Sequence, residues 1–187
     1  MSLCFGHNDR TNAPLRHGGR RAVSTVELLV TMGILSFLVA VSVPVLTAAR
    51  RGGAQALCAT NLHGITIAFS TYAADNVNAY PTPSASIQWE DLLRPYVPRK
   101  SFRCPADGEL FATLGSSYDW RDTGDPVTTL AGKLTLQTYH SDTSLAYDML
   151  PGWHVKNKIH VGRLDSSVEL MDQAAFFAEL QKAPERP

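Results

Sequence analysis

The chain lacks an excess of charge of either sign: among 187 residues, 17 Lys and Arg balance 17 Asp and Glu. That speaks against a protein that holds nucleic acid through a broad basic surface. It also lacks a Gly-x-Ser-x-Gly elbow and a glycine-rich phosphate loop, so no enzyme is expected. There are only three cysteines, with no Cys-x-x-Cys unit, and none of the six histidines forms a His-x-x-x-His pair. A zinc site of ordinary spacing is therefore not written into the sequence. No internal repeat is evident, and the length suits one globular domain with an N-terminal appendage.

What charge there is lies unevenly. Residues 1–22 hold Arg10, Arg16, Arg20 and Arg21 against Asp9, and the remainder carries a net −3. Residues 28–49 contain no formal charge at all. A helix rising about 1.5 Å per residue over that stretch spans a hydrocarbon core of about 30 Å. The buried helix of a soluble protein is seldom apolar on every face for so long. A single transmembrane helix is thus expected over 23–49. The basic residues before it favour a cytoplasmic N-terminus, although Arg50 and Arg51 beyond it pull the other way.

One acid, Glu27, stands at the edge of the apolar run. A carboxylate inside a bilayer costs about 2.5–3.5 kcal/mol, and less at the interface, so such a residue usually has a partner. A secretory signal cut near "LTAAR" (46–50), or a twin-arginine address at Arg20 and Arg21, explains the basic and apolar parts but not Glu27. Headgroup solvation of an interfacial Glu is the plain alternative.

The stretch resembles the N-terminus of type IV pilins and type II secretion pseudopilins, in which a short basic leader is removed just before the apolar segment. The family's Phe-Thr-Leu-x-Glu-Leu corresponds to Val23, Ser24, Thr25, Val26, Glu27 and Leu28. The resemblance implies a leader over 1–22, cleavage by prepilin peptidase between Ala22 and Val23, and N-methylation of Val23. Ala22 stands where the family usually has Gly, and Val23 where it has Phe. The resemblance further implies that Glu27 pairs with the new α-amino group of Val23 on a neighbouring subunit and sets the axial register. Pro44 falls at mature position 22, where the family commonly has a helix-kinking proline.

The Arg-Arg-Gly-Gly stretch at 50–53 can mark a break, yet apolar residues resume beyond it. Cys58, Leu62, Ile65, Phe69 and Tyr72 fall at offsets 0, 4, 7, 11 and 14, one stripe of a helix expected over 54–74. "ADNVNAYPTP" (74–83) ends that helix with Asp, Asn and Pro. The segment is similar to the helix of secretion-type pseudopilin-like proteins, which run from Cys-x-x-Asn-Leu to Tyr-Ala-x-Asp-Asn and a Tyr/Phe-Pro. The matching residues are Cys58, Asn61, Leu62, Tyr72, Ala73, Asp75, Asn76, Tyr80 and Pro81.

Trp89, Leu92, Leu93 and Tyr96 predict a short helix ended by Pro95 and Pro98. "SFRCPAD" (101–107) matches a Phe-x-Cys-Pro-x-Asp of the same relatives. "GSSYDWRDTGDP" (115–126) reads as a polar loop, and "KLTLQTYH" (133–140), "TSLAYDM" (143–149), "KIHVGRL" (158–164) and "SVELM" (167–171) as short strands. The last two are joined by a tight turn at Asp165, Ser166 and Ser167. The relatives often carry Ala-Asp-Gly there and a His upstream; Asp165 and His154 are the candidate matches, with Ser166 in place of Gly. A C-terminal helix is expected over 172–182, capped by Asp172.

Cys4 lies in the leader, which leaves Cys58 and Cys104, 46 positions apart. An even pair outside the cytoplasm permits a disulfide contributing about 2–4 kcal/mol. Two buried free thiols are the alternative. Asp119, Asp122 and Asp125 recur every third residue and can offer hard oxygen ligands to Ca²⁺, an ion that major pseudopilins bind in their C-terminal β region. An Asp-rich loop is most often simply solvated, and this one lacks the twelve-residue EF-hand pattern. His140, His154 and His160 read as surface or turn histidines.

The fold class expected is α+β and pilin-like: one long helix, transmembrane in its first half, with its outer half laid on a small antiparallel sheet and residues 50–187 in the periplasm. The resemblance implies a bacterial inner-membrane pseudopilin that joins copies of itself and other pseudopilins in a filament of a type II secretion-like system. Its other partners would be the prepilin peptidase, an inner-membrane assembly platform and membrane lipid; no nucleic acid is expected, and no cofactor other than calcium. A type IV pilus subunit for adhesion or DNA uptake, and an anchored periplasmic binding domain that never polymerises, are the alternatives.

Overall fold

The computed structural model describes residues 23–84, 86–135 and 141–184. The expected leader and Ala22 lie outside them. The chain divides into two compact units between Pro44 and Val45. One helix, α1 (Thr25–Asp75), supplies residues 25–44 to the first unit and 45–75 to the second.

The first part of α1 is built from Leu, Val, Ala and Met with few polar groups. Ser24 starts it: its carbonyl accepts from the Leu28 N–H at 3.1 Å and its hydroxyl from the Val26 N–H at 3.4 Å. One of the donors left over at a helix start is thereby met. Thr31 donates to the Leu28 carbonyl at 2.9 Å, Ser36 to Met32 at 2.8 Å and Ser42 to Leu38 at 2.7 Å. Each of these hydroxyls satisfies its proton within the helix, so it sits in an apolar run without needing an outside acceptor. Pro44 lies inside α1 and has no N–H to give the preceding turn. Gly52 and Gly53 do not interrupt the helix.

In the second unit α1 buries one stripe: Cys58, Leu62, Ile65, Ala68, Phe69 and Ala73. Tyr72, at the end of the stripe, is half-buried and meets Tyr96 edge-on at 6.0 Å. The helix stops where Val77 and Asn78 both take left-handed backbone, with φ of 56° each. Asn76 closes the last turn by donating its Nδ2–H to the Tyr72 carbonyl at 2.8 Å.

Short elements follow: α2 (Trp89–Leu93), a 3₁₀ turn (Arg99–Phe102) and α3 (Leu110–Leu114). The sheet is an antiparallel meander of β1 (Tyr118–Trp120), β2 (Ser144–Asp148), β3 (Lys158–Arg163) and β4 (Val168–Asp172), neighbours in chain order. Register pairs include Tyr118 with Asp148, Ala146 with Gly162 and Lys158 with Asp172. α4 (Gln173–Leu180) follows at once, and Asp172 caps it by accepting from the Ala174 N–H.

The main core lies between α1 and the sheet. The Phe69 ring stacks between Trp89 at 5.6 Å and Trp120 at 5.0 Å, and Phe102 meets Trp89 edge-on at 5.4 Å. A second cluster of Ile159, Val161 and Phe176 lies under α4. With both faces covered, β3 is buried from Ile159 to Gly162 and lacks the in-out alternation of a half-exposed strand. At Gly162 α1 and β3 approach closely: a methyl group there would stand 2.5 Å from Thr66 Cγ2 and 3.2 Å from Leu62 Cγ.

Three sequence expectations need correction. The presumed polar loop at 115–126 contains β1, because Tyr118 and Trp120 turn inward while Asp119 between them is only half-buried. The expected strand at 133–140 is reduced, among its described residues, to a bridge between Leu134 and Ala79; residues 136–140, His140 included, lie outside the described set. The helix begun at Trp89 ends at Leu93, before Pro95 and Tyr96. The expected helices at 54–74 and 172–182 correspond to the outer part of α1 and to α4.

Gly162→Ala should lower stability by about 1–3 kcal/mol through overpacking. The check is a thermal melt of the full chain in detergent; an unchanged melting temperature would mean that α1 does not press on β3 at this point.

Candidate functional site

Residues 23–53 are all exposed, and the most apolar 18-residue window of α1 has a mean hydropathy of 2.4 with none of it buried. This helix is long and apolar enough to cross a membrane. Val23 is 70% exposed and precedes the helix. Glu27 lies in the first turn, three residues after Ser24, where the positive end of the helix dipole favours a carboxylate. Among the described residues Glu27 has no ion-pair partner.

The structure places Cys58 and Cys104 in a disulfide, Cα to Cα 5.2 Å, that ties α1 to the segment after the 3₁₀ turn. Asn61 reinforces the tie by donating from Nδ2 to the Arg103 carbonyl at 3.0 Å, and Tyr118 donates its hydroxyl to the Cys58 carbonyl at 3.3 Å. The Cys-x-x-Asn-Leu string thus has a physical content here: a crosslink, a hydrogen bond and a core leucine on one helical face.

Beside the disulfide lies a cluster that the sequence did not suggest. His154 Nε2 stands 3.1 Å from Cys104 Sγ. The His154 and His160 rings meet at 4.9 Å. Asp148, 2% exposed at the end of β2, accepts through Oδ2 from the His160 N–H at 3.0 Å and faces His160 Nδ1 at 2.8 Å. Burial pushes the His154 imidazole below its ordinary pKa, against the opposing pull of Asp148, with His160 adding to the lowering. Neutral imidazole is the metal-binding form. Two groups of donors have their ligand atoms within 4.8 Å of one another: Cys58, Cys104 and His154, and Asp148, His154 and His160. Spacing along the chain could not have revealed them, because Asp148 and His160 come together through the β2–β3 register.

The three aspartates of the expected calcium loop are split. Asp119 and Asp122 line a groove of about 430 Å³ with Glu90, whereas Asp125 lines another with Thr123 and Thr128. Asp119 Oδ1 accepts from the Trp120 N–H at 2.8 Å, Asp122 Oδ1 from the Thr129 hydroxyl at 3.1 Å, and Asp125 Oδ1 from the Val127 N–H at 3.0 Å.

Asp107, at the end of the "SFRCPAD" stretch, organises the start of α3. It accepts from the N–H groups of Glu109, Leu110 and Phe111 at 3.0, 2.8 and 2.7 Å, and from the Ser117 hydroxyl at 2.5 Å. Burial pushes its pKa up, but the Ser117 hydroxyl and the three N–H groups outweigh it and hold the carboxyl below its ordinary value. Arg121, 1% exposed and also missed in the sequence, donates to the Thr128 carbonyl and the Ser144 hydroxyl at 2.9 Å each and to the Lys182 carbonyl just past α4. At the β3–β4 turn, Asp165 Oδ1 accepts from the Ser167 N–H at 2.8 Å, and Ser166 is left-handed with φ of 67°.

Compared with models of protein families, with curated proteins and with solved structures, the chain matches none.

Two outcomes follow from these local geometries. Because the folded pKa of Asp107 is depressed, its contribution to stability is present above the ordinary carboxylate value of 3.8 and fades as pH falls below it. Asp107→Asn should therefore melt lower than the unaltered chain at pH 7, with the gap narrowing below pH 3.8; a gap independent of pH would contradict this. Ser166→Gly, which removes the side chain from a left-handed position, should raise stability by about 0.5–1 kcal/mol, read from the melting temperature.

Proposed function

We propose that the chain is a pseudopilin: a structural subunit anchored in a bacterial inner membrane and stacked into a periplasmic filament of a type II secretion-like system. The observation that carries this reading is the division of labour along α1. Its first half is apolar and exposed around its whole circumference, with one carboxylate at its start, while its outer half buries a single stripe against the sheet.

In this reading prepilin peptidase removes residues 1–22, and Val23 becomes the methylated N-terminus. The helix stays in the lipid until the assembly platform passes the subunit to the filament. There the apolar halves of neighbouring helices replace lipid, and the new amine of Val23 meets Glu27 of the adjacent copy. Two charges that are costly alone in an apolar core then neutralise each other, which fixes how far one subunit is displaced along the next. The sheet domain faces outward and forms the filament surface.

Expression in a bacterium that carries a prepilin peptidase, followed by intact mass measurement, tests the processing step. The expected mature chain begins at methylated Val23; a start at Met1, or one downstream of Ala49, contradicts the reading. Glu27→Ala should be inserted and cleaved normally, yet enter filaments roughly tenfold less or worse, because an unpaired amine left buried costs about 3–5 kcal/mol. A filament yield equal to that of the unaltered chain would remove Glu27 from the register role.

A further inference from the structure

We propose that Asp148, His154 and His160 form a binding site for a divalent transition-metal ion of the zinc type, beside the Cys58–Cys104 disulfide and independent of the filament reading. Two independent observations carry it. The first is the donor set, one carboxylate and two imidazoles with ligand atoms within 4.8 Å of one another. The second is an orphan: Asp148 Oδ1 is buried with no hydrogen-bond partner, while Oδ2 serves His160. A buried carboxylate oxygen left unmet is costly, and a cation would satisfy it.

The chemistry of the set selects the ion. Two imidazoles with one carboxylate suit zinc, cobalt or nickel better than calcium or magnesium, which prefer oxygen throughout. Bonds of about 2.0–2.2 Å to a tetrahedral ion would bring the donors to roughly 3.3 Å from one another. Closing from the present separation falls mainly to His154, which is half-buried, whereas Asp148 and His160 are held in β2 and β3. Three protein ligands leave a fourth position open, and His154 lines a groove of about 480 Å³ through which an ion can arrive. Arg50 and Arg51 line the same groove, so direct coordination, rather than charge attraction alone, must hold the ion. The second donor group, Cys58, Cys104 and His154, competes only when the disulfide is reduced, because thiolates and not a disulfide ligate metal.

The test uses the full chain in detergent, purified without a histidine tag, stripped with a chelator and kept oxidised. Titration with Zn²⁺ alone, followed by calorimetry, should give one equivalent bound. His154→Ala, at a partly exposed position, should fold normally and weaken binding about 100-fold or more. Asp148→Asn should weaken it as well. Co²⁺ in the same site should show ligand-field bands without thiolate-to-cobalt charge transfer. Absence of stoichiometric binding at millimolar Zn²⁺ would overturn the proposal, as would binding unchanged in a folded His154→Ala chain. A thiolate charge-transfer band in the oxidised protein would also overturn it, since the cysteines would then be the ligands.

Discussion

The structure depends on one constraint: from Leu28 to Ala49 a helix without a charged residue presents mostly apolar side chains to its surroundings on every face, and nothing among the described residues of this chain covers them. At about 25 cal/mol per Å² of apolar surface, leaving such a stretch in water would cost far more than the few kcal/mol by which a domain is stable. A hydrocarbon surrounding suits such a surface, and the helix is long and apolar enough to cross a membrane. The back-bonded hydroxyls of Thr31, Ser36 and Ser42 suit this part of α1 to an apolar surrounding, since none of them needs water or an outside acceptor.

The outer part of the same helix solves the opposite problem. It has one face to bury and a sheet to bury it on, and the join is fixed in several independent ways. Phe69 is held between two tryptophans, Gly162 lets the backbone of β3 come close to Leu62 and Thr66, and the Cys58–Cys104 disulfide with the Asn61 hydrogen bond pins the helix to the loop after the 3₁₀ turn. Force on the helix would be delivered to the sheet domain through these contacts and not through a flexible linker. Arg121 plays a similar part at the far side of the sheet, where its guanidinium joins β2 to the end of α4.

Much of this was legible in the sequence wherever a period or a local capping rule applied. The stripe of Cys58, Leu62, Ile65 and Phe69 identified the buried face of α1; Asp172 marked the start of α4; Asp165, Ser166 and Ser167 marked the β3–β4 turn. What stayed hidden was short or assembled through space. β1 has three residues, too few for alternation to show against Asp and Arg neighbours. Arg121 reads as one more charge in a polar loop, and only the fold reveals that it is buried. Asp148 is far from His160 along the chain, and only the hairpin register brings them together. Asp119 lies in β1 and Asp122 just beyond it, lining one groove, while Asp125 lines another, an arrangement that their regular spacing along the chain does not convey.

The account rests on the first half of α1 being kept and being covered by an apolar surrounding. Hydrogen–deuterium exchange on the mature chain in lipid bilayers measures this most directly, residue by residue. The account predicts peptides covering 28–49 that exchange far more slowly than the exposed turn at 122–126. Exchange there as fast as in that turn, or a mature chain that yields no peptides from 28–49, would contradict it.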